Sequence, residues 1–178
     1  IKANCGNDPD MFRQEYPNTP DEAFLLSGDG YFDNDALAVQ RMHAPEPAAV
    51  GWFEFPEPAE MGDIPRDWRF RERARGAIRI WHHPEKGVPY VLGGDTAGEG
   101  SDRFTAHVLD NRTGAQVAEL QMPLSEIQYA RQIYCLGRYY NDALVAVEIN
   151  HSTYPEVKLE EWHYPKLYQR ERFDTYKN

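Results

Sequence analysis

Two acidic residues carry the chemistry that this sequence suggests first. Asp95 closes the apolar run Pro89–Asp95 (PYVLGGD) directly after Gly93 and Gly94, and Glu148 sits in Ala143–Ile149 (ALVAVEI), the most apolar stretch of the chain. An ionised carboxylate at the end of an apolar strand is costly unless a cation, a proton or a metal compensates it, and neither position has a Lys or Arg close by in sequence. Oxygen donors of this kind suit hard divalent cations such as magnesium or manganese. Two such ions about 4 Å apart can activate water on one side of a phosphodiester and stabilise the leaving oxygen on the other. Read without metal, Asp95 would be a turn residue after a strand and Glu148 half of a structural ion pair.

Further residues can assist. Asp102 lies in the loop that Asp95 opens (TAGEGSD) and is placed to add a ligand or a supporting contact, or simply to be solvated. His151 and Ser152 follow the Glu148 run and could touch a substrate phosphate, whereas His82, His83, His107 and His163 show no ligand spacing and read as surface or packing residues. The segment Arg66–Arg75 (RDWRFRERAR) holds Arg66, Arg69, Arg71, Arg73 and Arg75 against two acidic residues, and Arg103 stands in the Asp95 loop region. These arginines could follow a DNA strand; alternatively, their stems cover Trp68 and Phe70 in a solvated strand.

The elements that must position these groups are legible in outline. AIRIWHHP from Ala77 alternates like a half-buried strand, Glu85–Gly87 makes a turn, and the Pro89–Asp95 strand follows. Phe104–Asp110 and Ala115–Leu120 pair as a hairpin across Asn111–Gly114. Ser125 and Gln128 form a capping box for a helix to about Tyr140, along which Leu124, Ile127, Ala130 and Ile133 recur at helical spacing. Asn141-Asp142 ends it. The apolar run Ala143–Ile149 reads as a central parallel strand covered on both faces. A short helix near Pro155–Trp162 and a short strand near Lys166–Gln169 complete a mixed α/β sheet with crossover helices. Upstream, Asp33 caps a helix through Met42 with Leu37 and Val39 inward, and GWFEF is a short strand between prolines.

Composition bounds the possibilities. A chain of 178 residues with 41% hydrophobic and 13% aromatic residues suits one core plus an arm. No run approaches the roughly 20 apolar residues of a membrane span, and the first ten residues lack the signature of a secretory signal. Cys5 and Cys135 are too far apart in pattern for a zinc unit or a disulfide framework, which points to a reducing compartment. A formal charge of −10 excludes a whole-surface nucleic-acid clamp, so any contact with phosphate must be local. The start at Ile1 suggests a piece of a longer polypeptide.

YVLGGDTAGEGSDRFTAHVLDNRTGAQVAEL, followed by QYARQI and LGRYYNDALVAVEIN, resembles the ribonuclease H-like nuclease domain of tailed-phage terminase large subunits. FRQEYPNTPDEAFLLSG upstream is similar to the segment joining that family's packaging ATPase to the nuclease. The resemblance implies a ribonuclease H-like mixed sheet with an antiparallel three-strand part, parallel central strands and flanking helices. It implies residues 1–50 as an arm after an absent ATPase domain and residues 51–178 as the nuclease domain. Asp95 would be the first catalytic aspartate, Glu148 the second acidic ligand and Asp102 an additional metal ligand, together holding two Mg2+ or Mn2+ ions. The implied activity is endonucleolytic cutting of concatemeric double-stranded viral DNA during packaging in the host cytoplasm. The implied partners are DNA, the ATPase domain, the portal and the small terminase subunit.

Two departures from the pattern matter. No G-x-x-x-x-G-K-[ST] phosphate loop occurs, so this stretch should not hydrolyse ATP. The family's third metal-binding aspartate lies on a helix beyond the last strand, and the sequence stops at Asn178 before such a helix is complete; Asp174 comes too early for that role. An incomplete two-carboxylate site, with weaker metal affinity and little or no cutting unless the missing segment is supplied, is therefore expected. Competing readings are a fragment of an actin-like or sugar-kinase ATPase, and a non-catalytic module docking DNA or a portal.

Overall fold

The structure, a computed structural model, describes residues 33–56, 63–96, 103–149 and 151–169. The arm expected at residues 1–32, Cys5, the loop carrying Asp102, and Asp174 lie outside the described residues. The chain divides into two compact units, with the boundary after Pro45.

In the first unit, helix α1 spans Asn34–His43, and the Asp33 carboxylate accepts the Ala36 N–H at 2.7 Å, as its sequence position predicts. The inward role expected of Val39 is not observed. Val39 is 54% exposed while Leu37 is half-buried, because a helix with so few apolar positions offers only a narrow stripe.

The second unit is a mixed sheet flanked by helices. Its strands are β1 (Ala49–Glu54), β2 (Arg69–Glu72), β3 (Ile78–Ile80), β4 (Tyr90–Asp95), β5 (Phe104–Asp110), β6 (Gln116–Met122) and β7 (Leu144–Val147), with helices α2 (Glu126–Tyr139) and α3 (Tyr154–Glu161). Among the described residues the strand order is β2-β1-β3-β6-β5-β4-β7. All pairs are antiparallel except β4 with β7. The antiparallel three-strand part expected from the sequence is β6-β5-β4, and α2 is the crossover that lets β7 run parallel to β4.

Alternation decides the two faces. Tyr90, Leu92, Phe104, Ala106, Val108, Ala118 and Leu120 are buried, whereas Gly93, Asp95, His107 and Gln121 on the same strands are exposed. Helix α2 covers the buried face with Tyr129, Ile133 and Leu136, all fully buried. It begins at the expected capping box, in which Ser125 and Gln128 bond reciprocally, and it ends where Asn141 and Asp142 take left-handed φ values of 57° and 56°. Gln132 stitches α2 to the sheet: its Oε1 accepts the Phe53 N–H and its Nε2 donates to the Phe53 carbonyl, both at 2.9 Å. Because β3 pairs β1 only at Ala49–Gly51, Gln132 supplies partners that a longer β3 would have offered.

Two expectations need correction. Residues 143–149 are not covered on both faces throughout: among the described residues β7 is the last named strand beside β4, with residues 166–168 bonded to Val145 on its other side, Leu144 is 40% exposed, and Ala146 and Val147 are half-buried. An apolar run identifies a strand but not its rank in the sheet, which depends on pairings distant in sequence. Residues 166–169 likewise make only an isolated parallel bridge, Val145 with Leu167, beside β7.

Candidate metal centre

Asp95 is the last residue of β4, and Glu148 immediately follows the last residue of β7. Gly94 is the register partner of Val147 in the parallel ladder, so the next positions on both strands are Asp95 and Glu148. The Glu148 N–H donates to the Gly94 carbonyl at 2.8 Å, which carries the pairing to this last position. Neighbouring strands lie about 4.8 Å apart, and paired residues project to the same side. Both side chains are exposed on the sheet face opposite α2, and both line one open cavity of about 520 Å³ with Gly93, Thr105, His107 and Tyr168.

The local fold holds this juncture from below. Thr96, buried directly after Asp95, donates its hydroxyl to the Glu148 carbonyl at 3.2 Å and fastens the two strand ends together. Tyr129 reaches up from α2 and donates its hydroxyl to the Thr105 carbonyl at 2.8 Å, on the strand that pairs with β4. A Cβ at Gly94 would overlap that hydroxyl, which is the reason glycine precedes Asp95. Burial, with the negative charge of Asp95 next in weight, pushes the Tyr129 phenol well above its ordinary value, so it stays a neutral donor.

The expectation that Glu148 is embedded in an apolar strand is corrected: it stands exposed just past the strand end. Its carboxylate therefore avoids the penalty of deep burial, and the pairing of two oxygen donors becomes the informative feature. Among the described residues, no group of three or more His, Cys, Asp or Glu side chains gathers in a way that could hold a metal ion. Among the described residues the donor set is thus two carboxylates, which fits partial coordination of a hard cation that fills its other positions with water or substrate oxygens. Asp102 lies outside the described residues.

His107 is the residue that the sequence reading passed over. It faces Gly93 in the β4–β5 register and lines the same cavity as Asp95. Its signal was present in the alternation of FTAHVLD, in which Thr105, His107 and Leu109 share the face opposite Phe104, Ala106 and Val108. The β4–β5 register puts that face beside Asp95.

The arginines separate into two groups. Arg69 and Arg71 lie on β2, at the opposite margin of the sheet from β7. Five strand intervals separate β2 from β4, on the order of 24 Å. Arg71 and Arg73 both pair with Glu54, at 4.0 and 2.7 Å, and Trp68 and Phe70 pack edge-on against Phe53. Arg66 is exposed before β2. Arg75 and Arg103, by contrast, line a second cavity together with Arg79 and Gln121. His151 is exposed three residues beyond Glu148.

No family model matches the chain, and no curated protein matches it. Solved structures do. The large terminase nuclease from thermophilic phage G20c is 19% identical, covering 55% of this chain and 52% of its own, with a TM-score of 0.49. The large terminase nuclease domain of Thermus phage P74-26 is 19% identical, covering 55% and 50%, with a TM-score of 0.45. The G20c nuclease with bound magnesium is 20% identical, covering 56% and 54%, with a TM-score of 0.44. The chain spans about half the length of the solved nuclease chains it is similar to.

Proposed function

We propose that the sheet unit is the ribonuclease H-like nuclease domain of a terminase large subunit, and that it hydrolyses phosphodiester bonds of double-stranded DNA with divalent metal ions. The observation that carries this reading is the shared end position of Asp95 and Glu148, joined by the Glu148 N–H to Gly94 carbonyl bond. Asp95 and Glu148 would hold Mg2+ or Mn2+, with Asp102 as a further ligand. A bound divalent ion supplies Lewis acidity and lowers the pKa of its water.

The chain's own groups do the rest. The paired carboxylates bind and orient the cations on an exposed face, where a backbone phosphate can approach without a narrow entrance. Thr96 fastens the β4 and β7 ends together, and Tyr129 ties α2 to the neighbouring β5 from beneath. His107 and Thr105 form the wall of the cavity beside Asp95 and can donate hydrogen bonds to a phosphate or its water. In the complete protein this unit would act on concatemeric viral DNA, with an ATPase domain, portal and small subunit as partners.

A plasmid-nicking assay with manganese tests the assignment. Cleavage lost in both Asp95→Asn and Glu148→Gln is expected. Cleavage indifferent to either substitution, or the absence of saturable manganese binding by calorimetry, would defeat it.

A further inference from the structure

The second cavity, of about 560 Å³, opens on the same sheet face as the carboxylate pair. The register establishes this. Val50 pairs with Arg79, Arg79 with Glu119, Glu119 with His107, and His107 with Gly93, a row that crosses β1, β3, β6, β5 and β4 on one side. Val50 and Arg79 line the second cavity, while His107 and Gly93 line the first. A second row, Gln121 to Thr105 to Asp95, links the two cavities near their common end.

The charges in this second cavity run against the acidic character of the chain. Arg79 is tied to Glu119 at 2.7 Å, and Glu46 lies on the lining. Arg75 and Arg103 are exposed and, among the described residues, make no ion pair. Among the described residues neither guanidinium group has a carboxylate partner, and in a concave setting their planar forks match phosphate oxygens. Arg103 stands two residues before Thr105, the register partner of Asp95, and Gln121 and Arg79 are two and three strand intervals from Asp95, so the lining lies roughly 8 to 14 Å away. One DNA strand advances about 3.4 Å per nucleotide along the helix axis, so that span equals roughly two to four nucleotides.

We propose that the cavity between β1, β3 and β6 is a phosphate-binding subsite in which Arg75 and Arg103 grip the backbone of the strand being cut, a few nucleotides from the scissile phosphate. The proposal rests on the nuclease reading for its substrate. It assigns the substrate grip to Arg75 and Arg103 and leaves the Arg66–Arg73 segment, at the far margin, outside it.

The test is fluorescence anisotropy with a labelled DNA duplex in EDTA, so that binding is read without metal or cleavage. The Arg75→Gln, Arg103→Gln double variant is compared with a double control, Lys86→Gln with Arg138→Gln, which removes equal charge elsewhere. The expected result is an affinity loss of at least about tenfold for any duplex sequence, and a salt dependence shallower by about two in log K against log salt. An unchanged affinity and slope, or a loss matched by the control, overturns the proposal. So does an effect confined to ATP used as a mononucleotide probe, which would mark a nucleotide pocket instead of a strand subsite. Manganese calorimetry on the same variant is expected to be unchanged. If wild-type protein binds no manganese yet the arginine effect holds, the nuclease reading fails while the subsite stands.

Discussion

Gly94 on β4 and Tyr129 on α2 fill one another's space: the phenol hydroxyl occupies the volume that a side chain at Gly94 would take, and from there it donates to the Thr105 carbonyl on β5. A buried helix residue thereby sets the height of the strand end that bears Asp95. Tyr129→Phe should cost about 1 to 2 kcal/mol by leaving that carbonyl short of a donor. Gly94→Ala should cost more, about 2 to 3 kcal/mol, because the overlap forces the backbone to shift. Urea denaturation measures both, and a Gly94→Ala protein as stable as wild type would refute the relationship.

The carboxylate pair should act as a unit. Asp95→Asn or Glu148→Gln is expected to weaken manganese binding by at least about tenfold, since each removes one of two charged oxygen donors. The double variant should be scarcely worse than either single one. Titration calorimetry reads this; independent, additive losses would show that the two side chains do not share an ion.

Gln132 is predicted to be structural. Gln132→Leu leaves the Phe53 N–H and carbonyl without their α2 partners in a buried setting, at a cost of about 2 to 4 kcal/mol. A drop in the urea midpoint with unchanged slope would bear this out. A shift under about 0.5 kcal/mol would mean that water or β3 takes over.

The tip of the β5–β6 hairpin carries a pH signature. Asp110 accepts hydrogen bonds from the Arg112 guanidinium at 3.1 and 2.8 Å and from its N–H at 2.8 Å, and the guanidinium bonds are the leading cause holding its pKa below the ordinary value. A carboxyl with a depressed folded-state pKa stabilises the fold above its unfolded value, and that contribution fades as pH falls through the folded one. Asp110→Asn should therefore lower Tm at neutral pH, and the gap to wild type should close as the solution is acidified below the ordinary aspartate range. A gap independent of pH would sink this account.

Much of the fold was legible because its signals are local. The capping box of Ser125 and Gln128, the Asp33 cap, the Asn141-Asp142 break and the alternation of Phe104–Asp110 each involve residues within a few positions of one another. Misreadings arose where the answer depended on partners far along the chain. The apolar strand ending before Glu148 reads as covered on both faces, yet Leu144 is 40% exposed because coverage depends on which segments pack beside it. His107 read as an ordinary surface residue because nothing in its own strand reveals that Gly93 is its neighbour.

The sequence by itself determined which segments become strands and helices, and that Asp95 and Glu148 stand at the ends of two apolar runs. These properties follow from side-chain periodicity and capping, which act over a turn or a strand length. The side-by-side placement expected of those two strands is seen in the β4–β7 ladder, but only the tertiary structure decided that both ends lie on one exposed face, with Arg75 and Arg103 in a second cavity on the same side. Strand order and register arise from hydrogen bonds and packing between segments tens of residues apart, and a shift of one residue in register would send either carboxylate to the opposite face.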